Sequence, residues 1–69
     1  MILNGRQRHL LVHLDKIRLC RTPGGRFSFF LGDDDYSSTV DTLVVRGSLI
    51  KLNGGTQLRP TAVAEAFLT

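Results

Sequence analysis

Apolar and polar positions follow two different periods along this chain, and the changes of period mark its elements. Leu10, Leu11 and Leu14 fall on one face of a helix, and Asn4 before them is a residue type that caps helix starts. The pattern therefore predicts a first helix from Asn4 to about Lys16. Leu3 is expected to pack back on its first turns, with Arg6, Gln7, Arg8, His9 and His13 on outer and flanking positions. Ile17 to Arg21 and Arg26 to Leu31 are period-two runs separated by Thr22-Pro23-Gly24-Gly25. Proline presets one backbone dihedral there and glycine permits the positive one after it, so the stretch reads as a hairpin turn. Ile17, Leu19, Phe27, Phe29 and Leu31 take the inner faces of the two strands, and Phe30 is left on the less buried face.

Gly32-Asp33-Asp34-Asp35 breaks the second run. Its carboxylates come just before another helix, where the positive end of the helix dipole favours them, and Asp35 or Ser37 is the expected cap. From Tyr36 to Arg46 the helical spacing returns in Val40, Leu43 and Val44, with Gly47 expected as a left-handed stop. Ser48 to Leu52 and Thr56 to Arg59 predict a second hairpin around Asn53-Gly54-Gly55. Pro60 ends it, and Thr61 caps a last helix whose apolar side is Ala62, Val63, Ala66 and Phe67. The order is helix, hairpin, helix, hairpin, helix, which makes an α+β fold and one domain over residues 1–69.

Composition narrows the function classes. A chain of 69 residues has room for only a small core. With 42% hydrophobic and 22% charged residues it has the proportions of a folded domain. Apolar runs are short, so neither a transmembrane helix nor a secretory leader is expected, and the expected location is cytoplasmic. Seven of the nine basic residues are Arg and the formal net charge is +3, which favours phosphate or carboxylate partners because guanidinium binds both through paired hydrogen bonds. The single Cys20 cannot form an intramolecular disulfide and is expected as a small buried apolar residue.

Motifs for chemistry are weak. His9 and His13 stand at i and i+4 and Cys20 is the one thiol, but a zinc site needs three or four ligands in tetrahedral array, so no metal or other cofactor is expected. Asp33, Asp35 and Ser37 share the alternation of a calcium loop without its glycine and distal glutamate. Ser37 and Ser38 have no evident His and Asp partners, and the chain is not expected to be an enzyme.

The segment Ser37 to Thr61 resembles a winged-helix domain of the small bacterial and phage kind. It has a helix ending in Leu43-Val44-Val45-Arg46-Gly47, a strand carrying Leu49-Ile50, a Gly-rich turn, and Leu58 leading to Pro60-Thr61. Asn4, Gln7, Leu10 and Leu11 look similar to the opening helix of such proteins, while the Pro-Gly-Gly hairpin stands where their second helix usually lies. The resemblance implies a regulatory protein that binds duplex DNA. The helix from Ser37 would enter the major groove, and Asn53-Gly54-Gly55 would be the wing tip. Ser38, Thr39, Asp41, Thr42 and Val45 are the outward positions of that helix. The nucleic-acid-binding candidates are Ser38, Thr39, Thr42, Arg46, Lys51 and Arg59, joined by Arg6 and Arg8 on the basic first helix. Asp33, Asp34, Asp35 and Asp41 oppose a polyanion. The alternative is therefore a protein-interaction module, such as a phage inhibitor or assembly factor, that offers Arg18, Arg21, Arg26 and an exposed Phe30 to an acidic protein. A homodimer is the expected form of self-association, because the first hairpin leaves an open edge.

Overall fold

A computed structural model describes residues 2–68; Met1 and Thr69, the ends of the domain expected over 1–69, lie outside the described residues. Three helices and two antiparallel sheets make a small α+β fold, in the order α1 (Gly5–Val12), β1 (Arg18–Arg21), β2 (Phe27–Leu31), β3 (Asp34–Asp35), α2 (Ser37–Val45), β4 (Leu49–Leu52), β5 (Gln57–Pro60) and α3 (Ala62–Leu68).

Asn4 starts α1 through a reciprocal capping box. Its side chain accepts the Gln7 N–H at 2.7 Å, and the Gln7 side chain accepts the Asn4 N–H at 3.1 Å, satisfying two backbone donors that a helix start leaves open. That bond draws Gln7 inward, so it is buried rather than on the outer or flanking surface. The regular helix ends at Val12, earlier than the spacing of Leu14 suggests, and a 3-10 turn over Leu14–Lys16 carries the chain into β1. Leu14 still packs on the core from this tighter turn, as does Leu3.

β1 and β2 pair in the register Arg18↔Phe30, Leu19↔Phe29, Cys20↔Ser28 and Arg21↔Phe27. The acidic stretch does more than break β2. Gly32 turns with φ of 62°, and Asp34 and Asp35 fold back on Leu31 and Phe30 as a third, short strand. The first hairpin is thus the larger part of a three-stranded sheet ordered β1-β2-β3.

Tyr36 occupies the cap position of α2, not Asp35 or Ser37. Asp35 acts one residue earlier, its carboxylate accepting the Ser37 N–H at 2.9 Å, and the Ser37 hydroxyl accepts the Phe29 N–H at 2.9 Å, tying the helix start to β2. At the other end Gly47 has φ of 81°, its N–H bonds the Val44 carbonyl at 3.0 Å, and the Ser48 N–H bonds the Leu43 carbonyl at 2.9 Å. This double bond pattern with a left-handed glycine is the Schellman stop, and it turns the chain directly into β4. β4 and β5 pair antiparallel through a turn in which Asn53, Gly54 and Gly55 all have positive φ.

Thr61 precedes α3, but its hydroxyl donates to the Gly47 carbonyl at 2.5 Å instead of capping the helix. The Thr61 N–H also bonds the Ser48 carbonyl at 3.0 Å, so the end of α2 sets the rotation of α3. Ala64 consequently becomes the fully buried residue of α3, while Ala62, Val63 and Ala66, expected on its apolar side, are exposed. Phe67 is half-buried.

The core gathers Leu10 and Leu11 from α1, Phe29 from β2, Tyr36, Val40 and Leu43 around α2, Leu49 from β4 and Ala64 from α3. Every helix and both sheets contribute, with α2 at the centre. No described helix is long and apolar enough to cross a membrane.

Candidate binding surfaces

The outward side of α2 is built by the same periodicity that buries Val40 and Leu43. Ser38, Asp41, Thr42, Val45 and Arg46 are exposed, and Val45 is 87% exposed, a large apolar group left open at the end of the helix. The Thr42 hydroxyl donates back to the Ser38 carbonyl at 3.0 Å. Thr39 departs from the expected outward set: it is 8% exposed, because it lies under α1, where its hydroxyl accepts the Arg6 Nε–H at 3.3 Å. Beside this face the second hairpin carries Lys51, while Arg59, paired with Ile50, has the parity of the hairpin's opposite face. The Lys51 ammonium sits 3.3 Å from the Asp41 carboxylate, so one cation of the hairpin is partly neutralised by the helix it flanks.

Arg6 is also engaged within the fold. Its guanidinium lies 3.9 Å above the centre of the Tyr36 ring and donates to the Asp35 carbonyl at 2.7 Å, clamping α1 to the start of α2. Arg8, on the same helix, is exposed.

The arginines of the first helix and first sheet do not form one patch. Side chains alternate along a strand, so Arg18 lies on the face of Cys20, while Arg21 shares the face of Leu19 and, across the pair, Phe27. Arg18 is level with Phe30 and Asp35, near the Arg6 clamp, whereas Arg21 is three residues further along β1, roughly 10 Å away at strand spacing. Arg26 stands with Arg21 at that far end, just before Phe27. The aromatic expected to be open is likewise exchanged: Phe30 is half-buried, and Phe27 is 64% exposed with the Arg21 guanidinium 5.8 Å from its ring centre. Phe27 has the parity of the inner face but lies beyond the reach of the core that covers Phe29. Cys20, expected buried, is exposed on the outer face for the parity reason that places Arg18 there.

His9 and His13 have ring centres 4.4 Å apart with the rings tilted by 40°, and Nδ1 of His13 is 3.0 Å from the His9 carbonyl oxygen. Among the described residues no group of three or more His, Cys, Asp or Glu is placed to hold a metal ion.

Two clefts separate the first sheet from the second hairpin. One, of about 310 Å³, is lined by Leu19, Phe27, Phe29, Lys51 and the Gly54-Gly55-Thr56 turn. The other, of about 270 Å³, is lined by Leu14, Ile17, Leu52 and the strand residues Gln57, Leu58 and Arg59, and shares Leu19, Phe29 and Thr56 with the first. The sequence holds one sign of this groove, the Gly-rich tips of the two hairpins, but not that the hairpins face one another. Comparison of the chain with family models, curated proteins and solved structures returns no match.

Proposed function

We propose that the chain is a small winged-helix-like regulatory domain that binds duplex DNA, with α2 presented to the major groove and the β4–β5 hairpin as its wing. One observation carries this reading: the Gly47 stop joins α2 directly to the hairpin, so the exposed helix end bearing Val45 and Arg46 and the strands bearing Lys51 and Arg59 form one continuous unit. A nine-residue helix spans about 13 Å, a length that suits insertion across a groove about 12 Å wide. Ser38 and Thr42 supply hydroxyls for base or phosphate contacts, and Val45 offers an apolar surface to a thymine methyl. Arg8, Arg46 and Arg59 make no ion pair among the described residues and remain available to phosphates. Arg6 and Thr39 support the site from within, by holding α2 against α1.

Titration of a labelled duplex at low and moderate salt tests this. Saturable binding is expected, with log K falling by about 0.9 per phosphate contact for each unit of log salt. Arg46→Ala and Arg59→Ala should each weaken binding and flatten that slope. Asp41→Asn should strengthen binding by releasing Lys51 and removing a charge that repels phosphate. Absence of saturable binding, or binding indifferent to all three substitutions, refutes the reading.

A further inference from the structure

The groove between the first sheet and the second hairpin is open and basic on its rim; the part beside Phe27 is mainly apolar, and the part beside Gln57 and Arg59 is mainly polar. Its two parts share Leu19, Phe29 and Thr56, so they form one channel, running from Leu14 and Ile17 past Phe29 to the exposed ring of Phe27. Gln57, Leu58 and Arg59, three consecutive residues of β5, line it together. Side chains alternate across a strand, so three in a row bring the edge of β5 to the channel together with the turn end of the hairpin, where Lys51 and Leu52 of β4 also line it.

That edge is available for pairing. The Thr61 N–H bonds the Ser48 carbonyl, which makes Ser48 and Thr61 a hydrogen-bonded pair at the base of the hairpin. Hydrogen-bonded and non-hydrogen-bonded pairs alternate along an antiparallel ladder, and in the register Leu49↔Pro60, Ile50↔Arg59, Lys51↔Leu58 the alternation makes Leu58 a non-hydrogen-bonded position. Its N–H and C=O therefore point away from β4. The second sheet has two strands, so among the described residues no strand pairs with β5 on that side, where Leu58 offers an N–H and a C=O and Pro60 a C=O alone.

We propose that the channel takes an extended, acidic segment of another protein, added as a strand along β5, with an apolar side chain seated against Phe27, Leu19 and Phe29. Charge selects this occupant. Arg21 and Arg26 stand beside Phe27 at one end and Lys51 and Arg59 line the wall, against Asp41, which pairs with Lys51, and Asp15 in the 3-10 turn. A second copy is less favoured by charge. A two-fold arrangement sets these basic rims against each other, and head-to-tail seating of the Asp33–Asp35 stretch is a heterologous contact that ends in a ring only if its rotation closes. The apolar patch of Leu19, Phe27 and Phe29 and the free strand edge suit a peptide, whose backbone supplies affinity and whose alternate side chains supply specificity. This site shares Lys51 and Arg59 with the hairpin of the DNA-binding reading but not the outer face of α2, so Phe27 and Arg46 tell the two apart.

The test uses a fluorescent synthetic peptide alternating Glu and Leu, its copy with alternate amides N-methylated, a Glu-Ser peptide, and a single-stranded oligonucleotide. Saturable binding of the Glu-Leu peptide is expected, weakened about tenfold by Phe27→Ala. Arg21→Glu should also weaken it, and N-methylation or replacement of Leu by Ser should remove it. Phe27 is exposed, so its truncation leaves the core intact, and Val12→Ala, at an exposed apolar site on α1, should leave affinity unchanged. Four results overturn the proposal: no saturable binding of the Glu-Leu peptide; binding that survives both Phe27→Ala and N-methylation; tighter, Phe27-dependent binding of the oligonucleotide; or a dimer in sedimentation that Phe27→Ala dissociates. Duplex binding is measured separately through Arg46, so either reading can fail alone.

Discussion

Arg6→Ala removes the clamp between α1 and α2, and the structure sets the size of the loss. The guanidinium stacks on Tyr36 at 3.9 Å, a cation–π contact worth about 0.5–1 kcal/mol when the cation is exposed. Its 2.7 Å bond to the Asp35 carbonyl is charge-assisted, a class worth about 1.5–3 kcal/mol, reduced here because the Arg6 head remains open to water. The longer bond to the Thr39 hydroxyl, at 3.3 Å, adds little. A net destabilisation of about 2 kcal/mol follows, which in a domain of this size lowers Tm by about 8–16 °C. Urea and thermal unfolding followed by circular dichroism measure it. Arg6→Lys keeps the charge but loses the planar stack and the fork of donors, so it should restore less than half of the difference. A double-mutant cycle with Thr39→Val should return a coupling of about 0.5 kcal/mol. An Arg6→Ala protein within about 0.5 kcal/mol of the wild type, or full rescue by Lys, would show that the clamp is incidental.

Gly47→Ala should cost about 1–2 kcal/mol, because φ of 81° is strained for any residue with a Cβ; nothing lies within 4 Å of that Cβ, so the cost is conformational, and equilibrium unfolding in urea reads it. Equality with the wild type would mean that the Schellman turn does not hold in solution. Ser48→Ala should stabilise the protein by about 1 kcal/mol, since the Ser48 Oγ is buried without a hydrogen-bond partner among the described residues; a loss of stability on the same denaturation curve would reveal a partner for that hydroxyl.

Local signals carried most of the element order. Period, cap and glycine positions placed α1, the two hairpins and α2 within a few residues, because Asn4, Gly47 and the Gly-rich turns act on their own neighbours through backbone geometry. The core face of α2 was legible for the same reason: Val40 and Leu43 are buried wherever an amphipathic helix docks. Legibility ended where a position depends on what packs against it. Gln7 and Thr39 read as surface residues, and both are buried, one by its capping bond and the other by Arg6 crossing from α1.

Sequence alone thus determined a small basic α+β chain with a central amphipathic helix and two turns able to reverse direction. Tertiary structure decided which aromatic is open, which arginines stand together and which are spent on the fold. Alternation along β1 and β2 names two faces, but only the limited reach of a small core exposes Phe27 while covering Phe29. Among the described residues the eight buried apolar side chains gather around α2, and Leu19 and Phe27 are left facing the Gly54-Gly55 turn across an open channel.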